Sequence, residues 1–184
     1  MGGLSGMVMG SVSASVVSHA SCPVVVVRED NHVTDSTKYG PVVVGVDGSE
    51  VSQKATAYAF REAQARGAAL IAVHTWMDMQ VQASLAGLSA AQSEWADIEK
   101  EQSELLTENL KEPREEYPEV EVKKLITRDR PVSALTEAAE GAQLLVVGSH
   151  GRGGFKGMLL GSTSRALLQS APCPMMVVRP DEED

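Results

Sequence analysis

The sequence is poor in aromatic residues and in cysteine. Aromatic side chains make up 4% of the 184 residues, and the two cysteines are Cys22 and Cys173. Two cysteines exclude a disulfide-rich scaffold, and we expect both to be small buried thiols beside strands rather than a disulfide. Ala, Val, Leu and Met supply most of the 43% hydrophobic residues. Such small aliphatic side chains are typical of closely packed parallel α/β layers.

Basic stretches and long hydrophobic runs are missing as well. The formal net charge is -9 at pH 7, and no run of five basic residues offsets it. This charge argues against general binding to nucleic acids or to anionic membrane surfaces. No apolar run approaches the roughly 20 residues that span a bilayer, and the N-terminal segment lacks the basic start of a signal peptide. We therefore expect a cytoplasmic protein with neither a membrane nor a nucleic acid as partner.

What the sequence does contain is an internal repeat. Residues 153–179 match residues 2–28 without a gap, at about half of the positions. Both copies keep a Cys-Pro pair and end in Val-Val-Arg. About 110 residues of alternating strand and helix patterns precede the second copy, whereas only Met1 precedes the first. A repeat of this kind sets the expected domain organisation before any local pattern is considered.

The repeat predicts one whole domain preceded by the last part of another. The first copy holds only a glycine turn, a helix at 11–19 and a strand at 22–28, which cannot bury their apolar faces alone. A tandem protein shortened at its start would produce this pattern. The predicted divisions are a partial repeat at 1–30, a polar linker at 31–40, a whole domain at 41–179 and an acidic tail at 180–184.

The whole domain contains five short apolar stretches that are typical of strands buried in a sheet. The stretch at 120–127 alternates and carries charge, so we expect an outer strand at or near a sheet edge. The predicted strands are Pro41–Asp47, Ala68–Thr75, Val120–Thr127, Leu144–Gly148 and Cys173–Arg179.

Four helix patterns lie between these strands. Pro113 is expected to close the longest helix, and residues 76–90 have the composition of a loop. The alternation of strands and helices predicts right-handed crossovers and an α/β fold with an open, doubly wound, Rossmann-like parallel sheet. The predicted helices run from Ser49 to Gly67, from Ala91 to Pro113, from Pro131 to Gly141 and from Ser162 to Ser170.

A glycine-rich loop follows the fourth strand of the whole domain. Gly148, Gly151 and Gly161 let backbone N–H groups approach an anion, and Ser162 adds a hydroxyl at the start of a helix. Asp47 follows the first strand, and ligands of doubly wound sheets bind beyond such strand ends. The loop is neither the dinucleotide fingerprint nor the Walker loop. Spacing alone leaves two readings open, nucleotide binding and a structural glycine turn.

The spacing of this loop resembles that of a known family. Gly148, Gly151, Gly161 and Ser162 follow the order glycine, two residues, glycine, nine residues, glycine and serine. This pattern is that of the nucleotide-binding members of the universal stress protein family. The Val-Asp-Gly-Ser segment at 46–49, the Leu-Val-Val-Gly-Ser-His-Gly-Arg-Gly-Gly run and the Val-Val-Arg ending look like the same family. The similarity covers residues 41–179.

The resemblance implies a sheet of strand order 3-2-1-4-5 that binds ATP, with or without magnesium. The family has one class that binds ATP and one that does not, and this chain carries the loop of the binding class. By the resemblance, Asp47 and the backbone of Val46 would lie near the adenosine, Val73 beside the adenine and Arg152 near the ribose. The phosphates would be held by Gly151, Gly161, Ser162 and Thr163.

The expected function is that of a nucleotide-responsive stress regulator acting through conformation or assembly. Two alternatives stay open: a slow ATPase that uses the same pocket, and a dimerisation module whose glycine loop is structural. His150 lies inside the loop, but the sequence identifies no carboxylate or nucleophile as its partner, so no catalytic residue is assigned. Arg152 either neutralises phosphate charge or faces solvent, and we favour the former.

The partial repeat lacks every upstream element of such a site, so we expect one ATP site in the chain. Its strand must still bury its apolar side chains against an existing sheet or another chain. Members of the resembled family commonly pair their last strand antiparallel with that of a partner domain. We therefore expect Val24–Val27 to pair with Met175–Val178, or with the edge of another chain in a homodimer.

Overall fold

The computed structural model describes residues 10–28, 31, 39–76, 92–152 and 159–180. Helices and strands alternate along these residues, as the hydrophobic pattern predicts. The helices are α1 (Ser11–His19), α2 (Glu50–Arg66), α3 (Gln92–Glu116), α4 (Pro131–Ala138) and α5 (Ser162–Ser170). The strands are β1 (Val24–Val26), β2 (Val42–Gly45), β3 (Leu70–Thr75), β4 (Val122–Thr127), β5 (Leu144–Gly148) and β6 (Met175–Val178).

All six strands form one sheet of order β1-β6-β5-β2-β3-β4. Strands β2 to β6 are parallel, and within the whole domain their order is the predicted 3-2-1-4-5. Strand β4 lies at one edge, and its residues at 123–125 are exposed, as expected for the charged stretch. Strand β2 lies in the centre, where Val42–Val44 are fully buried between two helix layers.

The opposite edge of the sheet is formed by the partial repeat. Strand β1 pairs antiparallel with β6, and Val25 faces Met176, its equivalent in the other copy. The two equivalent arginines also each contact the other copy: Arg28 donates to the carbonyl of Gln169 at 2.5 Å, and Arg179 donates to the carbonyl of Ala20 at 3.3 Å. The expected edge pairing is therefore present within a single chain.

A hydrophobic core lies on each face of the sheet. On one face, Leu135 of α4 and Leu167 of α5 pack with Val17 of α1 against the strands. On the other face, Phe60 of α2 and Leu110 of α3 pack against the strands. Val17 is 1% exposed, so the partial repeat contributes to the first core. Burial of this apolar surface, rather than helix propensity, holds the short α1 in place.

The ends of α2 follow the sequence closely. The Ser49 side chain accepts the N–H of Ser52 at 3.2 Å and caps the first turn. Gly67 ends the helix in the left-handed region at φ 58°, which glycine adopts at little cost. Pro131 occupies the first turn of α4, where its missing N–H is not needed.

Pro113 lies inside α3, so the prediction that it closes this helix is wrong. The helix continues to Glu116, and the carbonyl of Pro113 accepts the N–H of Tyr117 at 2.9 Å. An interior proline costs roughly 3 kcal/mol, because its own N–H is lost and its ring crowds the preceding turn. The Tyr117 ring lies 6.2 Å from that of buried Phe60, and this packing favours the additional turn.

The two cysteines differ in exposure, although they occupy equivalent positions. Cys173 is buried and Cys22 is exposed, and both are free thiols. The expectation that Cys22 is buried is therefore wrong. Cys173 lies against Leu145 of β5, whereas Cys22 precedes the outermost strand of the described sheet.

We expect the buried thiol to make stability fall between about pH 9 and about pH 11. Burial raises the pKa of Cys173 from 9.0 to about 11. In this window the unfolded chain releases a proton that the folded chain keeps, so rising pH favours unfolding. Urea denaturation at about pH 8 and about pH 10 should show a larger loss for the wild type than for Cys173→Ala. Equal losses in the two proteins would contradict this assignment.

Three sequence-based expectations fall outside the described residues: the loop at 77–90, most of the linker and the acidic tail beyond 180. Within the described part of the chain, no helix has the length and apolar character needed to cross a bilayer.

Candidate functional site

The carboxyl ends of β2 and β5 lie side by side in the centre of the sheet. The two strands are parallel neighbours, with Val44 paired to Val146. Asp47 follows β2 by two residues, and the glycine loop begins at Gly148, the last residue of β5. The topology thus brings together the two sequence features that were singled out as candidate ligand contacts, at the type of strand edge where doubly wound sheets bind ligands.

The carboxylate of Asp47 connects these two strand ends. Its Oδ1 accepts the Ser49 amide at 2.9 Å and the Ser49 hydroxyl at 2.7 Å. Its Oδ2 accepts the amide of Arg152 at 3.2 Å, across 105 residues of chain. Asp47 is therefore more than a local cap, because it fixes the glycine loop relative to the β2 end. A carboxylate has about four lone-pair positions, so its oxygens retain acceptor capacity for a ligand hydroxyl.

The peptide unit before Asp47 is held on both of its polar atoms. The carbonyl of Val46 accepts from Nδ1 of His74 at 2.6 Å, and the amide of Asp47 donates to the Ser52 hydroxyl at 3.0 Å. The amide of Val46 donates to the carbonyl of Val73 at 2.8 Å. The amide and carbonyl of Val46 and the amide of Asp47 thus all make hydrogen bonds within the protein.

Val73 is placed deeper than the strand end. Its side chain is 2% exposed and belongs to the core, and its carbonyl is used by Val46. Trp76 follows β3 and is also buried, with the guanidinium of Arg128 at 5.1 Å from its ring centroid. Of the described residues that follow Val73, Thr75 is half-buried, whereas His74 and Trp76 are buried.

Close approach between the loops explains two of the glycines. A Cβ atom on Gly151 would overlap Oδ2 of Asp47. A Cβ atom on Gly48, whose φ is 80°, would lie 2.7 Å from Nη2 of Arg152. The Arg152 guanidinium therefore lies close to the Gly48 backbone, while the Arg152 amide donates to the Asp47 carboxylate. This arrangement places one positive and one negative side chain at the mouth of the candidate site.

Gly161 joins the glycine loop to the start of α5. Its amide donates to the carbonyl of Ser149 at 2.7 Å, and a Cβ atom here would lie 3.2 Å from Cα of His150. The Ser164 hydroxyl donates to the carbonyl of Gly148 at 2.7 Å. These bonds hold the first turn of α5 against the end of β5.

The first turn of α5 presents backbone donors. The first helical bond runs from the amide of Arg165 to the carbonyl of Gly161, so the amides of 162–164 precede any intrahelical acceptor. Gly161 is the N-cap, and it makes no side-chain cap bond. Ser162 is exposed and Thr163 is half-buried. Such a helix start combines free N–H groups with the positive end of the helix dipole and favours an anionic group.

The middle of the loop carries Ser149 and His150. The amide of Ser149 donates to the carbonyl of Val178, and its hydroxyl lies 3.1 Å from Nδ1 of His150. Among the described residues, the ring of His150 therefore contacts the hydroxyl of Ser149. The Cα and Cβ atoms of His150 lie next to Gly161.

A groove of about 410 Å³ runs along α5 and shares Ser162 with the site. It lies on the outer face of the helix, away from Asp47, so we assign the site to the strand ends, where the loops converge. The groove is lined by Leu160, Ser162, Arg165, Ala166 and Gln169.

Metal ligands are not grouped in the described part of the chain, where no three His, Cys, Asp or Glu side chains come together. Magnesium usually keeps several waters and binds through one or two carboxylates together with substrate phosphates. The Ser162 hydroxyl at the start of α5 fits that limited role. Any magnesium would thus enter with the phosphates.

Several site residues were not identified from the sequence. Their contacts join distant parts of the chain, and a serine or glutamine at these positions carries no pattern of its own. Of these residues, only Ser49 could be recognised in the sequence, and only as a helix cap. The missed residues are Ser49 as the partner of Asp47, Ser52, His74, Gln102 and Ser164.

The sequence matches a known family model along most of its length. The model of the universal stress protein family matches residues 1–28 and 38–179. The universal stress protein Rv2005c of Mycobacterium tuberculosis is 46% identical over 178 residues, which cover 97% of this chain and 58% of that protein. A universal stress protein of Mycolicibacterium smegmatis is 44% identical over 180 residues, which cover 98% of this chain and 59% of that protein. The chain thus spans less than two thirds of these relatives.

Solved structures show the same fold. The universal stress protein UspA from Lactobacillus plantarum superposes with a TM-score of 0.62 at 23% identity, over 77% of this chain and 98% of that one. A universal stress protein in complex with cAMP superposes with a TM-score of 0.52 at 27% identity, over 76% and 96% of the two chains. The match to the family model and the identity to the mycobacterial proteins lead to one conclusion: this chain belongs to the universal stress protein family.

Proposed function

We propose that this chain binds ATP at the carboxyl ends of β2 and β5 and acts as a nucleotide-responsive stress regulator. The observation that carries the proposal is the convergence of three groups at the carboxyl ends of the central strands. These groups are the Asp47 carboxylate, the glycine loop that it holds through Arg152, and the start of α5 after its N-cap Gly161. The universal stress protein crystallised with cAMP supports an adenine nucleotide as the ligand class.

The chemistry of the site suggests how the nucleotide is oriented. The α5 amides at 162–164, with the hydroxyls of Ser162 and Thr163, accept the phosphates. Gly151 and Gly161 let the loop backbone approach them without Cβ interference. The guanidinium of Arg152 offsets phosphate charge or contacts the ribose. The remaining acceptor positions of Asp47 suit a ribose hydroxyl, with the adenine directed towards Val46 and the end of β3.

Regulation accounts for this site better than catalysis. Hydrolysis needs a group that orients or deprotonates a water near the γ-phosphate. The described partner of the His150 ring is the Ser149 hydroxyl, and a carboxylate that would strengthen the ring as a base is not among its described contacts. A regulator needs only that ATP has different affinities for two conformations or assemblies. We place this activity in the cytoplasm, with magnesium bound through the phosphates.

The proposal includes one ATP for each chain. Residues 2–28 match residues 153–179, and residues 1–30 contain no equivalent of Asp47, Gly148 or Gly151. Their role is to cover the β6 edge, which leaves any homodimer to form through another surface. Residues 41–179 form the nucleotide-binding unit.

Release of bound nucleotide tests this function. Protein purified without added nucleotide is denatured, and the supernatant is analysed by chromatography and mass spectrometry. We expect an adenine nucleotide, and we expect ATP with magnesium to raise the melting temperature, since a ligand that binds only the folded state stabilises it. No nucleotide in the supernatant, together with no thermal shift at millimolar ATP, would contradict the proposal.

Ser162→Ala should weaken ATP binding by about tenfold, because one hydroxyl contact to a charged phosphate is lost. The melting temperature should not change, since the Ser162 side chain is exposed. Fluorescence competition with a labelled ATP analogue measures the affinity. Ser170→Ala is the matched control, because this exposed serine lies at the other end of α5 and its hydroxyl bonds only to Ala166 in the described contacts. Equal affinities of the two variants would count against phosphate binding at Ser162.

A further inference from the structure

A buried chain of hydrogen bonds connects α3 with the end of β2. His74 on β3 and Gln102 on α3 are each 2% exposed. Nε2 of His74 lies 2.9 Å from Oε1 of Gln102, and Nδ1 lies 2.6 Å from the carbonyl oxygen of Val46. Large polar side chains are rarely buried to this extent in a protein core.

The chemistry of the three groups defines which atom donates in each hydrogen bond. The oxygen of Val46 only accepts, so the Nδ1 atom of His74 carries the hydrogen. With the hydrogen on Nδ1, the Nε2 atom of the ring accepts. The Gln102 amide supplies the donor when its NH2 group, which a flip exchanges with Oε1, faces Nε2. The ring orientation is therefore fixed from both sides.

These hydrogen bonds hold the peptide unit between Val46 and Asp47. The ladder of β2 ends at Gly45, and the carbonyl of Val46 lies beyond it. His74 holds this carbonyl, while the Ser52 hydroxyl holds the amide of Asp47 at 3.0 Å. The direction of the Asp47 side chain follows from the plane of that peptide. The carboxylate in turn holds Ser49 and the amide of Arg152.

We propose that His74 is a positioning residue for the nucleotide site and that Gln102 holds it in place. The inference rests on the proposed ATP binding at Asp47. His74 does not touch the ligand and acts through the peptide between Val46 and Asp47. Because Gln102 belongs to α3, the position of this helix and the geometry of the site are coupled. Binding at the site therefore favours one position of α3, and the coupling is reciprocal.

A purely structural role makes a different prediction. If the pair only satisfied two buried polar groups, its loss would lower stability and leave the affinity of the folded protein for ATP unchanged. A positioning role requires that the affinity falls as well, at a temperature where the variant is fully folded. The two roles are therefore separated by comparing affinity with stability in the same proteins.

The test compares four variants of the full chain by titration with ATP. We expect His74→Phe and Gln102→Leu each to weaken ATP binding by about tenfold. His74→Asn keeps a donor near the carbonyl of Val46 and should recover most of the affinity. Leu110→Ala is the matched control, because Leu110 lies on α3, is 1% exposed and takes no part in the hydrogen-bonded chain. It should lose stability without a change in affinity.

An NMR measurement without nucleotide supplies an independent readout. The amide resonances of Asp47, Ser49 and Arg152 should shift in Gln102→Leu and stay in place in Leu110→Ala. Gln102→Leu keeps the bond from His74 to Val46 available and serves where His74→Phe does not fold. Unshifted resonances, or wild-type ATP affinity in a folded His74→Phe or Gln102→Leu protein, would overturn the positioning role. Failure of the wild type to bind ATP would instead overturn the proposed function, while shifted resonances would still establish the coupling.

Discussion

Gly151→Ala should weaken the binding of ATP by at least about 100-fold, equivalent to about 2.8 kcal/mol. The added methyl group would overlap Oδ2 of Asp47. The glycine loop must then move away from the β2 end, and the bond from the Arg152 amide to Asp47 is lost. Both the proposed ribose contact and the approach of the loop to the phosphates depend on this geometry. Isothermal titration of the purified variant with ATP measures the loss.

Gly67→Ala is the control for a glycine substitution. Gly67 has a φ of 58° and no atom within 4 Å of an added Cβ, so alanine there introduces backbone strain without a steric clash. We expect a loss of about 1 kcal/mol in stability and unchanged ATP affinity. A Gly151→Ala protein that binds ATP as tightly as Gly67→Ala would show that the loop does not contact the ligand.

Val17→Asp should detach the partial repeat from the sheet. Val17 is 1% exposed in the core beneath α1, and an unpaired carboxylate buried there costs about 3 kcal/mol or more. With α1 and β1 displaced, the apolar edge of β6 is uncovered and becomes a template for pairing with another chain. We expect lower stability and concentration-dependent association, as measured by urea denaturation and by light scattering after gel filtration. Removal of residues 1–30 should give the same association.

Val12→Asp is the matched control on the same helix. Val12 is 76% exposed, so a carboxylate there remains solvated and should leave both stability and association unchanged. If Val17→Asp had the mass and the stability of Val12→Asp, the partial repeat would contribute nothing to the β6 edge.

Much of the fold was predictable because local patterns and the topology agree. The β-branched run before Asp47 identifies a central strand, and Gly67 marks the end of α2 through a backbone conformation that few other residues adopt. The predictions for Pro113 and Cys22 were wrong for a common reason. Their environment depends on tertiary neighbours, namely the ring of Phe60 for the end of α3 and the outermost position of β1 for Cys22.

The candidate site was predictable only in part. Asp47 and the glycines could be found because strand ends and loop glycines have a position in the sequence pattern. The residues that orient Asp47 could not be found in this way. His74 and Gln102 are 28 residues apart, and each reads as an ordinary member of its strand or helix. Their pairing becomes visible only when β3 and α3 pack together.

The most direct test of the account is a calorimetric titration of ATP and magnesium into the wild-type chain after bound nucleotide has been removed. The account predicts saturable binding with one ATP for each chain, because the partial repeat lacks the strands and the Asp47 equivalent of a second site. Absence of binding, or two equivalent sites in each chain, would contradict it.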